Sequence, residues 1–151
     1  MKEIIDFIMD DILNFHKQIA SDETLQTNST IRDFGLLESA VNNPFQTFGG
    51  EDLYKTIFDK AAQLAYGLVK NHGFVDGNKR VAIHAMLNYL SANNYNIDFS
   101  TEEIVKIGMD LAEDKLTAEN LSKLLKEKTI SHLVEFFETQ LENSYSEEKS
   151  K

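Results

Sequence analysis

The chain has 151 residues, of which 42% are hydrophobic, and this size and composition fit one globular domain with a sizeable core. The formal net charge of −10 argues against nucleic acid as the main partner, because binding a phosphate backbone requires clustered cations. The sequence lacks cysteine, which excludes disulfides and agrees with a cytoplasmic protein, and no apolar run reaches the roughly 18 residues that a membrane span needs.

The first third of the chain alternates a helical pattern with polar breaks. Residues 2–20 predict an amphipathic helix, in which we expect His16 to be a structural histidine that is hydrogen-bonded within the fold. Residues 21–30 predict a polar loop, and Asp33 is a suitable N-cap for a short helix that ends before Pro44. Residues 44–50 end in two glycines, a pattern typical of a small β-hairpin or of an ordinary connecting loop.

The remainder of the chain is predicted to be helical almost throughout. Residues 52–70 predict one helix, and residues 78–92 predict another that is apolar on nearly all sides and therefore lies inside a bundle. Ser100 begins a capping box for a helix that extends to Glu113, and Thr117 caps a further short helix. The sequence therefore predicts an all-α fold, a helical bundle with one small hairpin.

The two most apolar helices are connected by the sequence Asn71-His72-Gly73-Phe74-Val75-Asp76-Gly77-Asn78-Lys79-Arg80. The start of the second helix carries free backbone N–H groups and partial positive charge, to which Lys79 and Arg80 add two cations. A polyphosphate would offset this charge, and Gly77 would let it approach the backbone. Asp76 can supply an oxygen to Mg²⁺, and His72 can accept a hydroxyl proton near neutral pH. The pattern indicates phosphate-ester chemistry on a hydroxyl.

This stretch resembles the signature of the Fic/Doc (Fido) superfamily. The match lies in His72-x-Phe74-x-Asp76-Gly77-Asn78-Lys79-Arg80, and it extends upstream through residues 31–40 and 46–50 and downstream to about Lys126. Lys79 matches the death-on-curing (Doc) branch, since typical Fic adenylyltransferases have glycine at that position. Ile83 stands where those enzymes carry a second arginine, which is another departure toward the Doc pattern.

The resemblance implies the Fic fold and an ATP- and Mg²⁺-dependent transferase that modifies a Ser or Thr hydroxyl of a target protein. His72 would be the general base and Asp76 the metal ligand. The phosphates would be bound by Gly77, Asn78, Lys79 and Arg80. The resemblance also implies that a flap formed by Gln46, Thr47 and Phe48 aligns a segment of the target by strand addition.

Resemblance to the Doc branch implies a toxin that phosphorylates a target protein. By family precedent, that target belongs to the translation machinery. A small antitoxin partner would keep the activity off. Adenylylation is the alternative reaction, and a nucleotide-binding regulatory module is the alternative that is not an enzyme.

The family resemblance ends before residue 129, and the domain is therefore assigned to residues 1–128. Residues 129–142 predict an added helix with one apolar face, and residues 143–151 predict a disordered tail. We expect the added helix to pack on the domain, with a dimer contact as one alternative. Inhibition is another, because Ser131 and Glu135 resemble part of the family's inhibitory helix, whose glutamate pairs with a motif arginine.

Overall fold

The computed structural model describes residues 1–150, apart from the side chain of Ser131. These residues form helices and one hairpin in the order α1 (Lys2–Ser21), α2 (Phe34–Asn42), β1 (Thr47–Phe48), β2 (Glu51–Asp52), α3 (Ile57–Asn71), α4 (Asn78–Ala92), α5 (Thr101–Ala112) and α6 (Ala118–Lys149). A short 3₁₀ turn, Asn43–Phe45, lies between α2 and β1. The predicted all-α fold with one small hairpin is confirmed. Within the described residues, no helix is long and apolar enough to cross a membrane.

Helix α4 lies inside the bundle, as its apolar sequence predicts, and packs against α1, α3 and α5. Its side chains Val81, Ala82 and Leu90 are completely buried. Helix α3 faces α4 with small residues, and its Ala61 and Ala65 are also completely inaccessible to solvent. The residues that begin α4 are therefore mounted on the most enclosed helix of the domain, which limits their movement.

The predicted helix caps are present at three helices. The Asp33 carboxylate accepts a hydrogen bond from the N–H of Leu36, Ser100 begins a reciprocal capping box, and the Thr117 hydroxyl caps α6. The start of α3 differs from the prediction, because residues 51–52 pair in the hairpin and the helix begins at residue 57. Thr56 and Asp59 form a capping box there, so the start of α3 is defined by its own cap.

A hairpin is present as predicted, but its strands span residues 47–52, whereas the prediction was 44–50, and Pro44 and Phe45 belong to the 3₁₀ turn. Its antiparallel register pairs Thr47 with Asp52 and Phe48 with Glu51. Gly49 and Gly50 make the turn with φ values of +59° and +82°, which glycine adopts with little steric cost. The side chain of Phe48 remains 81% exposed, so the hairpin presents an aromatic group to solvent instead of burying it.

Helix α6 runs without interruption through residues for which the sequence predicts a short helix, an added helix and a disordered tail. Residues 143–149 are helical, whereas the prediction has them disordered; residue 151 lies outside the described residues. The chain contains neither glycine nor proline after Thr117, so no residue strongly interrupts helical hydrogen bonding. The assignment of the domain to residues 1–128 stays a prediction.

The expectation that residues 129–142 pack on the domain is wrong. From Ile130 onward, every residue with a described side chain is exposed. Glu135, which the inhibitory alternative would pair with a motif arginine, makes no ion pair with Arg80 among the described contacts. The side chain of Ser131 lies outside the described residues. The core residues of α6 lie in its first half, where Leu121 and Leu125 are completely buried.

Candidate active site

The motif loop, residues 72–77, connects α3 to α4 and is bounded by two residues in the left-handed conformation. His72 ends α3 with φ 52° and ψ 50°, and Gly77 precedes α4 with φ 84° and ψ 9°. The conformation of His72 is unfavourable for a residue with a Cβ atom. The Arg32 side chain stabilises it, because Nε donates to the carbonyl of His72 at 2.6 Å and Nη2 to that of Asn71 at 2.9 Å. Arg32 thus caps the C-terminal end of α3.

The segment that precedes α2 lies antiparallel to the motif loop and fixes its backbone. The N–H groups of Arg32 and Asp33 both donate to the carbonyl of Gly73, at 2.8 and 2.9 Å. The N–H of Val75 donates in return to the carbonyl of Thr30 at 3.0 Å. These bonds satisfy backbone groups that neither α3 nor α4 could pair, so the loop has one defined path.

Phe74 and Asn78 anchor the inner side of the motif loop. The Phe74 side chain is completely buried, as the sequence predicts. The Asn78 side chain is 5% exposed; its Oδ1 accepts from the N–H of Phe74 at 3.0 Å, and its Nδ2 donates to the Phe74 carbonyl at 2.8 Å. Both polar atoms of the Asn78 side chain are thus hydrogen-bonded within the loop, and its predicted role in phosphate binding stays a prediction.

His16 supports the outer turn of the motif loop from α1. It is 2% exposed, its ring stacks on Phe74 at a centroid distance of 3.8 Å, and its Nε2 bonds to the carbonyl of Asp76 at 2.9 Å. Because a carbonyl can only accept, Nε2 must carry a proton. The prediction of a structural histidine is confirmed, and the structure shows that it supports the loop that carries Asp76.

Gly77 brings the motif loop into close contact with α1 and with the polar loop that follows it. A Cβ atom at this position would lie 2.9 Å from Cδ1 of Ile19 and 3.2 Å from Cγ2 of Thr27. Both distances are too short for ordinary contact, so a side chain at residue 77 would force its neighbours apart. Glycine is therefore needed for its conformation and for its size.

One cleft of about 500 Å³ lies over the start of α4. The six residues predicted to carry the chemistry all line it: His72, Asp76, Gly77, Asn78, Lys79 and Arg80. Its volume is within the range of roughly 300–1,000 Å³ that small-molecule sites occupy. In the described chain, the predicted flap residues Gln46, Thr47 and Phe48 do not line this cleft.

The floor of the cleft is positively charged although the chain as a whole is acidic. Helix α4 has no side-chain N-cap, and neither Lys79 nor Arg80 forms a salt bridge among the described residues. The stem of Lys79 lies against Gly108 of α5, where a Cβ atom would be 3.4 Å away. The pKa of Asp22 is lowered by hydrogen bonds from Thr24 and also by the positive charge of Arg80. The uncapped helix start and two cations together favour an anion here.

The residues present fit a Mg²⁺ ion that is shared with a phosphate. Asp76 is the only acidic residue among the described residues that line the cleft, and its Oδ1 accepts from the N–H of Gly77 at 2.8 Å. No cluster of three or more acidic or histidine ligands occurs in the described part of the chain. Mg²⁺ is commonly held by one or two carboxylates, water and substrate phosphates, and such a site needs no larger cluster.

A buried lysine holds the base of the hairpin. Lys60 of α3 is 7% exposed, and its Nζ donates to Oδ2 of Asp52 at 3.1 Å and to the carbonyl of Tyr54. The pair joins the hairpin to the helix that ends at His72. The hairpin therefore stands on the same rigid element as the motif histidine.

Two contributors to the site were not assigned by sequence reasoning. Arg32 lies in the segment whose resemblance was noted, but no local pattern indicates that its side chain reaches the end of α3. Thr27 belongs to a polar stretch that predicts only a loop, yet it lines the cleft and is buried against Gly77. Both act through contacts between segments distant in sequence, which periodicity does not report.

A model of the Fic/DOC family matches residues 6–90, more than half of the chain and all of the motif loop. The chain belongs to the Fic/DOC family. It is 43% identical over 74 residues to Toxin Doc of Mycolicibacterium smegmatis (strain ATCC 700084 / mc(2)155), a match that covers 48% of this chain and 57% of that toxin. The chain thus spans little more than half the length of this relative. The predicted assignment to the Doc-like branch is confirmed.

Members of the Fic/DOC family are typically transferases that use nucleotide substrates. The family match contains His16, Arg32 and the complete motif loop, but it ends at residue 90. Helices α5 and α6 therefore lie outside it. The cleft described above lies mostly within the matched part, and only its wall at Ala112 comes from beyond it.

Proposed function

We propose that this protein transfers the γ-phosphate of ATP to a Ser or Thr hydroxyl of a target protein. The observation that carries the proposal is the meeting of His72, Asp76 and the cationic start of α4 in one cleft. Each group has a distinct part in phosphoryl transfer, in which positioning and electrostatic stabilisation supply most of the catalysis.

The triphosphate would lie against the start of α4. The backbone N–H groups of Lys79 and Arg80 have no side-chain cap to compete with it, and the two side chains add positive charge where negative charge develops. Gly77 leaves the backbone accessible. Asp76 would hold Mg²⁺, which supplies charge neutralisation to the phosphate oxygens when bound.

His72 would act as the general base. Its ring would accept the hydroxyl proton while the hydroxyl oxygen bonds to the γ-phosphorus. The bond from that phosphorus to the β,γ-bridging oxygen breaks, and ADP leaves. Arg32 would hold the histidine backbone in the orientation that this transfer requires, because both of its hydrogen bonds go to carbonyls at the end of α3.

The choice of phosphate rests on Lys79. In the adenylylating pattern a glycine at this position leaves room for the phosphates along the backbone. Here a long cationic chain, packed against Gly108, narrows that space and adds charge. This favours binding of the nucleotide in the reverse sense, with the γ-phosphate near His72. Transfer of AMP is the alternative outcome.

Labelling with two differently labelled forms of ATP distinguishes phosphorylation from adenylylation. The purified chain is incubated with a cell lysate and with ATP labelled either at the γ- or at the α-phosphate, and modified proteins are measured by intact mass. Label from the γ-position and a gain of one phosphate are expected. Label from the α-position and a gain of one AMP would replace phosphorylation with adenylylation. Lys79→Gly should reduce γ-labelling and supplies the control for the role of Lys79.

The general-base assignment is tested by His72→Ala. Labelling should fall by roughly 10²–10⁴-fold, the usual contribution of a general base, while ATP binding measured by calorimetry and the melting temperature change little. Near-normal labelling would remove His72 from the mechanism. ATP binding with no labelling of any protein by the unmodified chain would instead favour a nucleotide-binding regulatory module.

The hairpin residues Gln46, Thr47 and Phe48 would align the target segment. They are outside the cleft but joined to α3 through Lys60 and Asp52, and the exposed Phe48 offers an apolar contact. A strand added to this short hairpin would be recognised mainly through backbone hydrogen bonds. Phe48→Ala should lower protein labelling without changing the affinity for ATP.

The similarity to a Doc toxin supports a toxin role in the cytoplasm, with an antitoxin partner and a target in the translation machinery. Induced expression should then stop cell growth, and His72→Ala should relieve the arrest. Arrest by the His72→Ala variant at equal protein levels would separate toxicity from transfer chemistry.

A further inference from the structure

The second half of α6 carries an apolar stripe that no other described part of the chain covers. The side chains of the α6 stripe are between 50% and 71% exposed, and they are Ile130, Leu133, Val134, Phe137, Leu141 and Tyr145. Their spacing of three and four residues places them on one face of the helix. Contiguous exposed apolar surface of this kind is a mark of interaction sites.

The α6 stripe faces away from the side of the helix that packs on the domain. Ile130 lies nine residues after the buried Leu121, and Val134 lies nine residues after the buried Leu125. Nine residues are two and a half turns at about 3.6 residues per turn, so the stripe is on the opposite side of the helix. Continued packing along the domain could not bury it, and another molecule is required.

The charges along this part of α6 select between possible partners. Between Lys128 and Lys149 the sequence has no lysine or arginine, and its five acidic residues are Glu135, Glu138, Glu142, Glu147 and Glu148. Glu138 and Glu142 directly follow two stripe residues and border the apolar surface. If a second copy of the chain docked here, the acidic borders of the two stripes would face each other. Two chains that each carry a net charge of −10 would also repel each other. Charge therefore disfavours self-association and favours a basic partner.

We infer that the α6 stripe is the docking surface for a basic amphipathic helix of a partner protein. The stripe extends over 15 residue steps, or about 22 Å at 1.5 Å per residue. A partner helix of roughly four turns would match it, with its apolar face on the stripe and its lysines or arginines beside Glu138 and Glu142. No described residue of α6 lines the cleft, so this binding is separate from the transfer chemistry.

The test uses the full chain and two synthetic helical peptides that share one apolar face. One peptide carries lysines beside that face, and the other carries glutamates. Titration calorimetry should show binding of the lysine peptide, weakened by added salt because the charge contacts are exposed to solvent. The glutamate peptide should not bind. Equal binding of both peptides, or of neither, would overturn the inference.

Two adjacent phenylalanines supply a matched pair of variants. Phe137 belongs to the stripe and is 61% exposed, whereas its neighbour Phe136 is 55% exposed and points about 100° away around the helix. Phe137→Ser should weaken binding of the lysine peptide at least about tenfold, as loss of an interface anchor does. The Phe136 ring contacts that of Phe137 edge-on at a centroid distance of 5.8 Å, so Phe136→Ser should weaken binding, but much less than Phe137→Ser does. Since both side chains are largely exposed, neither change should unfold the domain.

Two further measurements distinguish binding of a basic partner from self-association of the chain. Replacing Glu138 and Glu142 together by glutamine should weaken binding of the lysine peptide and reduce the salt dependence of that binding. Sedimentation of the unmodified chain should show a monomer across the concentrations used. A dimer that Phe137→Ser dissociates and Phe136→Ser does not would assign the stripe to self-association and overturn the inference. Equal effects of the two phenylalanine variants would also overturn it.

Discussion

Replacing Gly77 by alanine should destabilise the protein and damage the cleft, and Gly49 provides a control that separates two causes. Both glycines have positive φ, +84° at Gly77 and +59° at Gly49, so alanine at either position carries backbone strain of about 1–2 kcal/mol. A Cβ atom at Gly49 meets nothing within 4 Å. Gly49→Ala should therefore show the strain alone.

At Gly77 the added methyl group also meets side chains of α1 and of the loop that follows it. It would lie 2.9 Å from Cδ1 of Ile19, the movable end of a flexible side chain, and 3.2 Å from Cγ2 of the buried Thr27. Crowding of a packed site typically costs about 1–3 kcal/mol, and we expect the lower part of that range because Ile19 can move. The total loss for Gly77→Ala is then about 2–4 kcal/mol.

Denaturant unfolding with linear extrapolation measures both losses. The melting temperature offers a second reading, with roughly 2–4 °C lost per kcal/mol in a domain of this size. Calorimetry should show weaker ATP binding for Gly77→Ala and unchanged binding for Gly49→Ala. Equal destabilisation by the two variants would refute the close-contact explanation, since only the shared backbone strain would then matter.

Three further predictions follow from the contacts around the loop and at α3. Arg32→Gln loses the paired hydrogen bonds to the end of α3 and should lower the rate of protein labelling more than it lowers stability, because its main effect is on the orientation of His72. His16→Phe retains an aromatic ring against the motif loop but leaves the carbonyl of Asp76 without its donor; ATP affinity measured with Mg²⁺ should fall, and an unchanged value would show that the hydrogen bond does not position Asp76. Burial opposes the charged form of Asp59, but hydrogen bonds from Ser122 and from Thr56 outweigh it and lower its pKa below the ordinary value of 3.8. Because the folded-state pKa is depressed, this stabilisation is present above that value and is lost as the pH falls through the folded-state pKa; Asp59→Asn should be less stable at neutral pH, and its difference from the unmodified chain should shrink in acid.

Much of the fold was accessible from local sequence patterns. The caps at Asp33, Ser100 and Thr117 were predicted because each depends on side-chain and backbone atoms within three residues. The start of α3 and the end of α6 were less accessible. Residues 52–56 have helical composition, but α3 begins only at residue 57, because Asp52 pairs in the hairpin and Thr56 caps the helix. Helix α6 continues to Lys149, through residues whose charge suggested disorder.

The sequence by itself indicated the chemistry that we propose for the site, because a histidine, a carboxylate and two cations near a helix start can be recognised without a structure. Only the tertiary structure decided which hydrogen bonds hold the loop that carries these residues. In the folded protein the Asn78 side chain forms hydrogen bonds within the loop. Arg32 and His16, which are distant in sequence, also form hydrogen bonds to the backbone of the loop. The reason is physical: side-chain type and spacing report what a residue can do, whereas hydrogen bonds between segments far apart in sequence depend on packing that no local pattern contains.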